Sequence, residues 1–276
     1  MTPRDAKKLA TTKLATMKLA TMKLATWNVN SVRARLQRVV AFLTKARPDV
    51  VCLQETKVVD ADFPAGAFQE LGWHAAYHGQ KTYNGVAILS REPPQDVERG
   101  MDDKEVDHEA RFLAATVGGV RVVSLYVPNG QAVGSEKFAW KLRWLERLRA
   151  WLDRRHRPGD ALALGGDFNI APEDRDVWDP EKWRGQVLFS DEEKAALSRV
   201  RDFGLVDALR LRNQEPGLFT WWDYRMGAFH RGWGLRIDHF LVSNPVAARV
   251  SSAFVDRDER KGSEPSDHAP LIVELA

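Results

Sequence analysis

Short apolar runs of strand length recur along the chain after residue 21, and they alternate with stretches of helical periodicity. These runs predict strands over residues 23–28, 50–53, 86–90, 111–117, 120–127, 161–164, 237–242 and 270–275. Gly118 and Gly119 separate the fourth of these runs from the fifth, which predicts a hairpin. The chain is therefore constrained to fold around sheets whose strands are largely buried.

Three intervening stretches with one apolar face predict helices over residues 33–46 and 135–154 and from Ser190 to Gly204. The third begins with a capping box of Ser190 and Glu193, and Gly204 ends it. The middle helix is predicted to turn inward Phe138, Leu142, Leu145, Leu148 and Leu152, and to turn outward Lys137, Lys141, Arg143 and Arg147. This basic face is either solvated or in contact with DNA.

Hairpins mixed with helices indicate an α+β fold. Because no long linker rich in Pro, Gly or Ser interrupts the pattern, residues 22–276 are expected to form a single domain. The oligomeric state expected for it is a monomer.

The first 21 residues follow a different pattern. Copies of Lys-Leu-Ala-Thr begin at Lys8, Lys13, Lys18 and Lys23, a period that matches neither a helix nor a strand. Residues 1–21 are therefore predicted to be a disordered basic extension, and the repeat is interpreted as a duplication, with Met22 as the functional beginning. A transit peptide and a DNA-attracting arm are the alternatives.

The net charge of +3 is concentrated in that extension. Residues 1–21 hold five Lys and Arg residues and one Asp of the 41 basic and 38 acidic residues in the chain, which leaves 36 and 37 from Met22 onward. The folded part is therefore not a general polyanion binder. Any binding of nucleic acid would have to use local clusters and specific phosphate contacts.

A single cysteine, Cys52, excludes an internal disulfide and a thiolate metal cage, so a bound metal would have oxygen ligands. No run of about 18 or more apolar residues is present to span a bilayer. The N-terminus also lacks the apolar segment of a signal peptide. The expected location is the cytoplasm, with no membrane partner.

Polar side chains follow most of the predicted strands at the point where each strand ends or begins. They are Asn28, Asn30, Glu55, Tyr126, Asn129, Asp167, Asn169, Asp267 and His268. Carboxylates, amides, a phenol and an imidazole, without a Ser or Cys nucleophile, suit a hard divalent cation and a phosphate. Because strand ends open onto loops, a catalytic cluster is expected there.

Six motifs carry a resemblance to a known family. They are TWNVNSVR at residues 26–33, LQETK at 53–57, YVPNG at 126–130, GDFNIAP at 166–172, LRID at 235–238 and SDHAP at 266–270. In order and spacing, they resemble the exonuclease III family of DNA-repair nucleases. The resemblance implies a four-layer α/β sandwich of two packed mixed β-sheets flanked by helices, and a Mg²⁺-dependent phosphodiesterase acting on double-stranded DNA in base-excision repair, with Mn²⁺ as a substitute. It also implies 3′→5′ exonuclease, 3′-phosphatase or 3′-repair diesterase activity and cleavage at abasic sites.

The resemblance assigns a role to each matching residue. Glu55, Asn30 and Asp267 resemble the metal ligands, and Asp167 resembles the residue that orients or deprotonates the attacking water. His268 resembles the imidazolium that binds the scissile phosphate, with Asp238 holding its ring. Catalytic support is implied for Tyr126 and Asn169, and phosphate or DNA contacts are implied for Asn28, Lys57, Asn129 and Arg236.

Two of these roles require shifted pKa values. A carboxylate with a pKa near 4 is a weak base at neutral pH, so burial or a neighbouring negative charge would have to raise the pKa of Asp167. Pairing with Asp238 would raise the pKa of His268 and keep the imidazole charged near neutral pH.

The pocket for the 3′ end or abasic sugar is expected to contain Leu188, Trp221 and Leu235. Where abasic-site-cleaving members usually have a small residue, this chain has Leu188, which predicts that 3′-end processing outranks abasic-site incision if the side chain points into the site. The alternative is that Leu188 turns into the core. Asp207 and Cys52 are expected to be structural.

Two other functions stay open. The same fold and machinery serve phosphoesterases that act on other substrates, such as inositol-polyphosphate phosphatases and sphingomyelinases, and deoxyribonuclease I-like endonucleases. The absence of a histidine in the YVPNG motif argues against these enzymes. A DNA-binding module without activity would need a more basic surface than the folded part carries.

Overall fold

The computed structural model describes residues 21–276 and contains two six-stranded sheets. The first sheet has the spatial order β11 (Val250–Val255), β12 (Leu271–Leu275), β1 (Met22–Asn28), β2 (Val50–Gln54), β4 (Val86–Ser90) and β3 (His74–His78). The second has the order β5 (Gln95–Arg99), β6 (Phe112–Val117), β7 (Val120–Tyr126), β8 (Leu162–Asp167), β10 (Asp238–Ser243) and β9 (Leu205–Asp207). The pairs β1–β2 and β7–β8 are parallel and the other pairs antiparallel, so both sheets are mixed.

Eight α-helices lie in the connections between strands of the described chain. They are α1 (Leu36–Ala46), α2 (Ala65–Gln69), α3 (Glu136–Arg155), α4 (Pro180–Trp183), α5 (Asp191–Arg201), α6 (Ala208–Arg212), α7 (Ala228–Arg231) and α8 (Asn244–Ala247). None of the helices within residues 21–276 is long and apolar enough to cross a membrane. The predicted extension falls outside the described residues, except for Thr21.

Alternating side chains of the buried strands build separate layers of core. Leu24 and Cys52 point into the cluster between the two sheets, and Trp27 points to the opposite face, where it packs on Phe42 of α1. Helices α3 and α5 cover the outer face of the second sheet in the same way. The predicted four-layer sandwich is confirmed, and the strands have apolar residues on both faces because both faces are covered.

The register of the second sheet brings polar residues into one row. Tyr126 is paired with Asp167 across β7 and β8, and Asp167 is paired with Asp238 across β8 and β10. Gly166 allows this close pairing, because a Cβ there would collide with the carbonyl oxygen of Leu125. In the first sheet, β1 and β2 end side by side, with Asn28 paired with Gln54.

The predicted basic face of α3 is wrong at Lys141. Its side chain is fully buried rather than exposed, as are the side chains of Trp144 and Trp151 on the same helix. Lys141 is buried because it forms an ion pair with Glu193 of α5, and the packing of these two helices encloses the pair.

Candidate active site

The polar residues predicted at the strand ends meet at one edge of the two sheets. Asn28 and Glu55 come from the ends of β1 and β2, and Asp167 comes from the end of β8. The amide nitrogen of Asn28 donates to Oε1 of Glu55 at 2.8 Å and to Oδ2 of Asp167 at 2.9 Å. One amide therefore connects the two sheets at the site.

His268 lies between two aspartates. Its Nδ1 is 2.8 Å from Oδ2 of Asp238, and its Nε2 is 3.7 Å from Oδ2 of Asp167. The indole Nε1 of Trp27 donates to the carbonyl oxygen of His268 at 3.1 Å, and Thr220 Oγ1 accepts from the backbone N–H of Asp238 at 3.1 Å. Both the ring and the backbone of His268 are therefore held by hydrogen bonds.

The environment shifts the pKa values of this group in the directions expected from the sequence. Burial raises the pKa of Asp167 to about 7, against the opposing charge of His268 and with a further rise from Asp238. Burial alone would lower the pKa of His268, but the charges of Asp238 and Asp167 outweigh it and raise the pKa to about 10. Near neutral pH, His268 is therefore positively charged, and Asp167 can accept a proton.

Tyr126 lies beside these carboxylates. Burial raises the pKa of its phenol well above the usual value, and the charges of Glu55 and Asp167 raise it further. Arg111 stacks on the other side of the ring, with its guanidinium carbon 4.7 Å from the ring centroid. The phenol consequently stays protonated and can donate a hydrogen bond.

The predicted metal ligands lie around one ammonium group. Nζ of Lys57 is 2.7 Å from Oε2 of Glu55 and 2.5 Å from Oδ1 of Asn30. The amide of Asn30 in turn donates to Oδ1 of Asp267 at 3.0 Å. Because oxygens of two predicted ligands converge on a positive charge, the donor set fits a hard cation.

The local backbone supports this convergence. Asn30, Glu55 and Lys57 all have a positive φ, between 46° and 54°. Residues other than glycine adopt this region rarely, and such strain is concentrated at functional sites.

A second set of possible metal ligands overlaps the first. Ligand atoms of Glu55, Asp167 and His268 all lie within 4.8 Å of one another. Glu55 therefore belongs to both groups and is the residue best placed to hold a cation.

Two asparagines face each other beside Asp167. The amide of Asn129 donates to Oδ1 of Asn169 at 3.2 Å, and the amide of Asn169 donates to the carbonyl oxygen of Val127 at 3.0 Å. The backbone N–H of Asn169 donates to Oδ1 of Asp167 at 2.9 Å. The two asparagines are thus fixed relative to the predicted base.

The ion pair of Lys141 and Glu193 lies beneath these asparagines, and the sequence did not reveal its role. The ammonium donates to the carbonyl oxygens of Asn129 at 3.1 Å and Asn169 at 2.6 Å as well as to Glu193. Glu193 also accepts from the backbone N–H of Leu188 at 3.0 Å. Only the capping box signalled that Glu193 would point inward, and nothing in the sequence signalled its pairing with Lys141.

The predicted pocket residues share one apolar cluster. Leu188 and Leu235 are buried, with 6% and 0% of their surface exposed, and Trp221 packs against them. Nε1 of Trp221 donates to Oδ2 of Asp267 at 3.0 Å, which ties the cluster to the predicted metal site. Leu188 is therefore close to Trp221, although little of its side chain reaches the surface.

Arg236 does not face the site, so the predicted DNA contact is wrong. Its guanidinium is fully buried and pairs with Asp176 at 2.7 Å and Asp207 at 2.6 Å. Two buried carboxylates hold the charge in the interior, where a DNA phosphate does not reach. Asp207 also caps α6, which confirms its expected structural role, and Cys52 is a buried core thiol as expected.

The chain is similar to known proteins over most of its length. The Endonuclease/Exonuclease/phosphatase family matches residues 25–268. The chain is 36% identical over 261 residues to exodeoxyribonuclease III of Haemophilus influenzae (strain ATCC 51907 / DSM 11121 / KW20 / Rd), covering 90% of this chain and 98% of the relative.

Two solved structures have nearly the same fold. The 3′ phosphatase NExo from Neisseria, bound to a product DNA hairpin, superposes with a TM-score of 0.89 at 45% identity, covering 92% of this chain and 99% of that one. An AP endonuclease from Archaeoglobus fulgidus superposes with a TM-score of 0.90 at 40% identity, with the same coverage of both chains.

Proposed function

The chain belongs to the Endonuclease/Exonuclease/phosphatase family, in its exonuclease III group, and we propose that it is a Mg²⁺-dependent DNA-repair phosphodiesterase acting on duplex DNA. The observation that carries this proposal is the Asp238–His268–Asp167 series joined through Asn28 to Glu55. It combines a charged imidazole, a carboxylate with a raised pKa and a cation-binding carboxylate within one cluster.

In the proposed reaction, water attacks the phosphorus atom and the bond to the 3′ oxygen breaks. Asp167 accepts a proton from the water, since its raised pKa makes it an effective base near neutral pH. His268 binds a non-bridging oxygen of the phosphate and offsets the negative charge that develops there. Asp238 orients the imidazole and keeps it protonated.

The remaining polar residues bind and orient the phosphate. Asn169 and Asn129 lie beside Asp167, where their amides can turn toward phosphate oxygens. The phenol of Tyr126, at the end of β7, can donate to the same phosphate. This positioning is a large part of the catalysis, because phosphoryl transfer requires alignment of the water with the departing oxygen.

Glu55, Asn30 and Asp267 would hold the metal. Mg²⁺ bound there would polarise a phosphoryl oxygen and offset the charge on the departing oxygen, and Mn²⁺ could substitute because it also prefers oxygen ligands. Although burial opposes it, the charge of His268 and hydrogen bonds from Trp221 and Asn30 hold the pKa of Asp267 below its usual value, so this ligand stays ionised.

Within this activity, we propose that processing of 3′ ends and 3′ phosphates outranks incision at abasic sites. Leu188 packs in one cluster with Trp221 and Leu235, and its bulk would reduce the room for a flipped-out sugar there. The identity is also higher with the 3′ phosphatase, at 45%, than with the AP endonuclease, at 40%. A monomeric state and a cytoplasmic location, where DNA is accessible, remain part of the proposal.

The test uses one preparation on three duplexes, which carry an abasic site, a 3′ phosphate or a recessed 3′ hydroxyl. We expect Mg²⁺-dependent release of phosphate and nucleotides, with slower incision at the abasic site and no reaction in EDTA. Intact DNA together with hydrolysis of an inositol polyphosphate or sphingomyelin would favour a phosphoesterase with another substrate. DNA binding without any hydrolysis would favour an inactive binding module.

A further inference from the structure

Two arginines from one short segment lie over an aromatic cluster outside the catalytic group. This aromatic cluster consists of Trp222, Tyr224 and Phe229. The guanidinium carbon of Arg260 lies 5.1 Å from the ring centroid of Phe229 and 5.5 Å from that of Tyr224. The guanidinium carbon of Arg257 lies 5.3 Å from that of Trp222.

Neither arginine has a carboxylate partner within 4.0 Å among the described residues. The acidic residues of the same segment are taken by other cations: Asp256 and Glu259 by Lys45, and Asp258 by Lys261. The positive charge of Arg257 and Arg260 is therefore offset only by the π-faces of the rings and by more distant groups.

Arg260 is the more unusual of the two because it is buried. Only 6% of its surface is exposed, its Nε has no hydrogen-bond partner, and its Nη1 donates to the carbonyl oxygen of Ser266. Burial lowers its pKa below the usual value, although Asp267 opposes this effect. A buried guanidinium without an anion is costly, so an anion that reaches it would be bound favourably.

The anion can reach Arg260 through an adjacent cavity of about 330 Å³. Arg260, Lys261, Tyr224, Phe229 and His230 are among the residues that line this cavity. Asp223 also lines it, but its Oδ1 accepts a hydrogen bond from the backbone N–H of Arg225 at 2.8 Å. We call this space the arginine-lined cavity.

The arginine-lined cavity adjoins the catalytic site through Tyr224 and Arg35, whose guanidinium donates to the hydroxyl of Tyr224 at 3.1 Å and to the carbonyl oxygen of Asn30 at 2.8 Å. The hydroxyl of Tyr224 donates to the carbonyl oxygen of Pro265 at 2.9 Å and is 3.5 Å from the amide of Asn30, a predicted metal ligand. Pro265 lines the cavity and is followed in the chain by Ser266, Asp267 and His268. The cavity is therefore next to the segment that carries Asp267 and His268.

We propose that the arginine-lined cavity binds a backbone phosphate of the DNA strand, close to the one that is cleaved, with Arg260 as its principal ligand. This inference rests on the proposed action on DNA. A guanidinium matches phosphate geometry, and Lys261, which also lines the cavity and is paired with Asp258 at 2.6 Å, brings a second positive group. The cavity anchors the strand and contributes to affinity, whereas the catalytic group performs the hydrolysis.

The first test compares Arg260→Met with Arg91→Met, using binding of a duplex with a recessed 3′ end in EDTA as the salt concentration is varied. Arg91 is a matched control because it also stacks on an aromatic ring, 4.4 Å from that of Trp73, next to the end of β4 that lies away from the site. Arg260→Met should weaken binding about tenfold and reduce the slope of log affinity against log salt by about one. Arg260→Lys should retain that slope, and Arg91→Met should match the wild type.

A second pair of variants keeps the test valid if Arg260→Met does not fold. Lys261 is exposed at 68% of its side chain, so Lys261→Glu is compatible with folding, and Arg91→Glu is its remote control. Lys261→Glu should weaken DNA binding several-fold more than the control. Equal effects of the two glutamates, or a folded Arg260→Met with the wild-type slope, would overturn the proposal.

A third measurement distinguishes the strand from free phosphate. Inorganic phosphate should raise the melting temperature of the wild type more than that of Arg260→Met. If that difference is seen while DNA binding is unchanged by Arg260→Met, the cavity binds free phosphate and the assignment to the strand is wrong. Failure of the wild type to cleave any DNA would contradict the proposed function, whereas loss of the salt-slope effect would contradict only this inference.

Discussion

Asp167 and His268 lie in one buried environment, and the pKa values of both are raised there. The charge of each group favours the charged form of the other. For Asp167, however, burial outweighs the charge of His268 and raises the pKa to about 7. The pKa of Asp167 therefore lies near neutral pH, as a general base requires, while the pKa of His268 keeps the imidazole charged. Asp238 completes the arrangement by fixing the imidazole at 2.8 Å.

Replacement of either residue should lower kcat while the affinity for DNA is largely retained. We expect Asp167→Asn and His268→Asn each to lower kcat at least about 100-fold, the usual effect of losing a general base or an electrostatic stabiliser. DNA affinity should stay within a few fold. Single-turnover cleavage and binding in EDTA measure the two effects, and a variant with near-full activity would remove that residue from the mechanism.

The pH dependence follows from the same two groups. Activity requires Asp167 without its proton and His268 with its proton, so kcat should rise as Asp167 ionises and fall as His268 loses its proton near pH 10. A bound divalent cation favours the ionised carboxylate, which places the acid limb at or below pH 7. The profile of kcat against pH for the wild type and His268→Asn checks this, because the alkaline limb should disappear in the variant. An unchanged alkaline limb would assign it to another group.

The sequence predicted the wrong position for two charged side chains, and the physical reason is the same for both. A helical pattern predicts an outward lysine at position 141, and a family motif predicts a DNA contact at Arg236, yet both side chains are fully buried. Each is held by carboxylates that come from distant parts of the chain, Glu193 for the first and Asp176 and Asp207 for the second. Local periodicity contains no information about such partners.

At the scale of the elements, the strands were predicted where they are buried on both faces. Strands β1, β2, β4, β6, β7, β10 and β12 agree with the structure to within one residue at each end, whereas β8 continues three residues beyond its predicted end, to Asp167. The missed strands are β3, β5, β9 and β11, which lie at the edges of the two sheets. Edge strands such as Gln95–Arg99 expose polar residues, so they lack the apolar run on which the prediction depends.

The ion pair between Lys141 of α3 and Glu193 of α5 gives a prediction about stability. Lys141→Met should destabilise the protein by about 3–5 kcal/mol, because it leaves Glu193 and two carbonyl oxygens buried without their cation. The double variant Lys141→Met with Glu193→Gln should recover part of that loss, since the unpaired charge is gone. Urea unfolding measures both, with Lys137→Met as the exposed control on the same helix. A single variant as stable as this control would contradict the structural role.

We expect the loop before α5 to influence the choice of substrate. Leu188 has a φ of 76°, a region that favours glycine, so Leu188→Gly relieves backbone strain while it removes bulk next to Trp221. We expect this change to raise abasic-site incision relative to removal of a 3′ phosphate. The ratio of the two rates on matched duplexes is the measurement.

A buried leucine in another layer separates this effect from general destabilisation. Leu197 of α5 packs in the cluster beneath the second sheet, so Leu197→Ala removes apolar volume without changing the pocket, and it should leave the ratio unchanged. If Leu188→Gly also leaves the ratio unchanged, or if the wild type already prefers abasic sites, Leu188 belongs to the core and does not select the substrate.

At the scale of the whole molecule, the architecture explains why residues of six short motifs come together. Each motif lies at a strand end or in a loop next to one, and the two sheets pack so that those ends meet at one edge. The resemblance identified the polar residues of the site, but it did not identify the buried residues that hold them in place, such as Lys141 and Glu193. The positions of those buried residues depend on how helices pack over the sheets, which the motifs do not encode.

The distribution of charge over the whole chain gives the last prediction. Strand β1 begins at Met22, which is paired with Leu275, and the backbone N–H of Lys23 donates to Asp49 at 2.7 Å, so a chain that starts at Met22 retains the hydrogen bonds of this strand. Such a chain loses five basic residues and one acidic residue, which changes the net charge from +3 to −1.

If local cations at the site bind the DNA, the truncated protein should keep its melting temperature, its nuclease activity and most of the salt dependence of DNA binding. The slope itself should be shallower than that of a strongly basic protein, because only a few phosphates are neutralised. Titrations of full-length and truncated protein with the same duplex over a range of salt concentrations make the comparison. If truncation removed most of the slope, the N-terminal segment would be the anchor, and if it abolished folding, the domain would not begin at Met22.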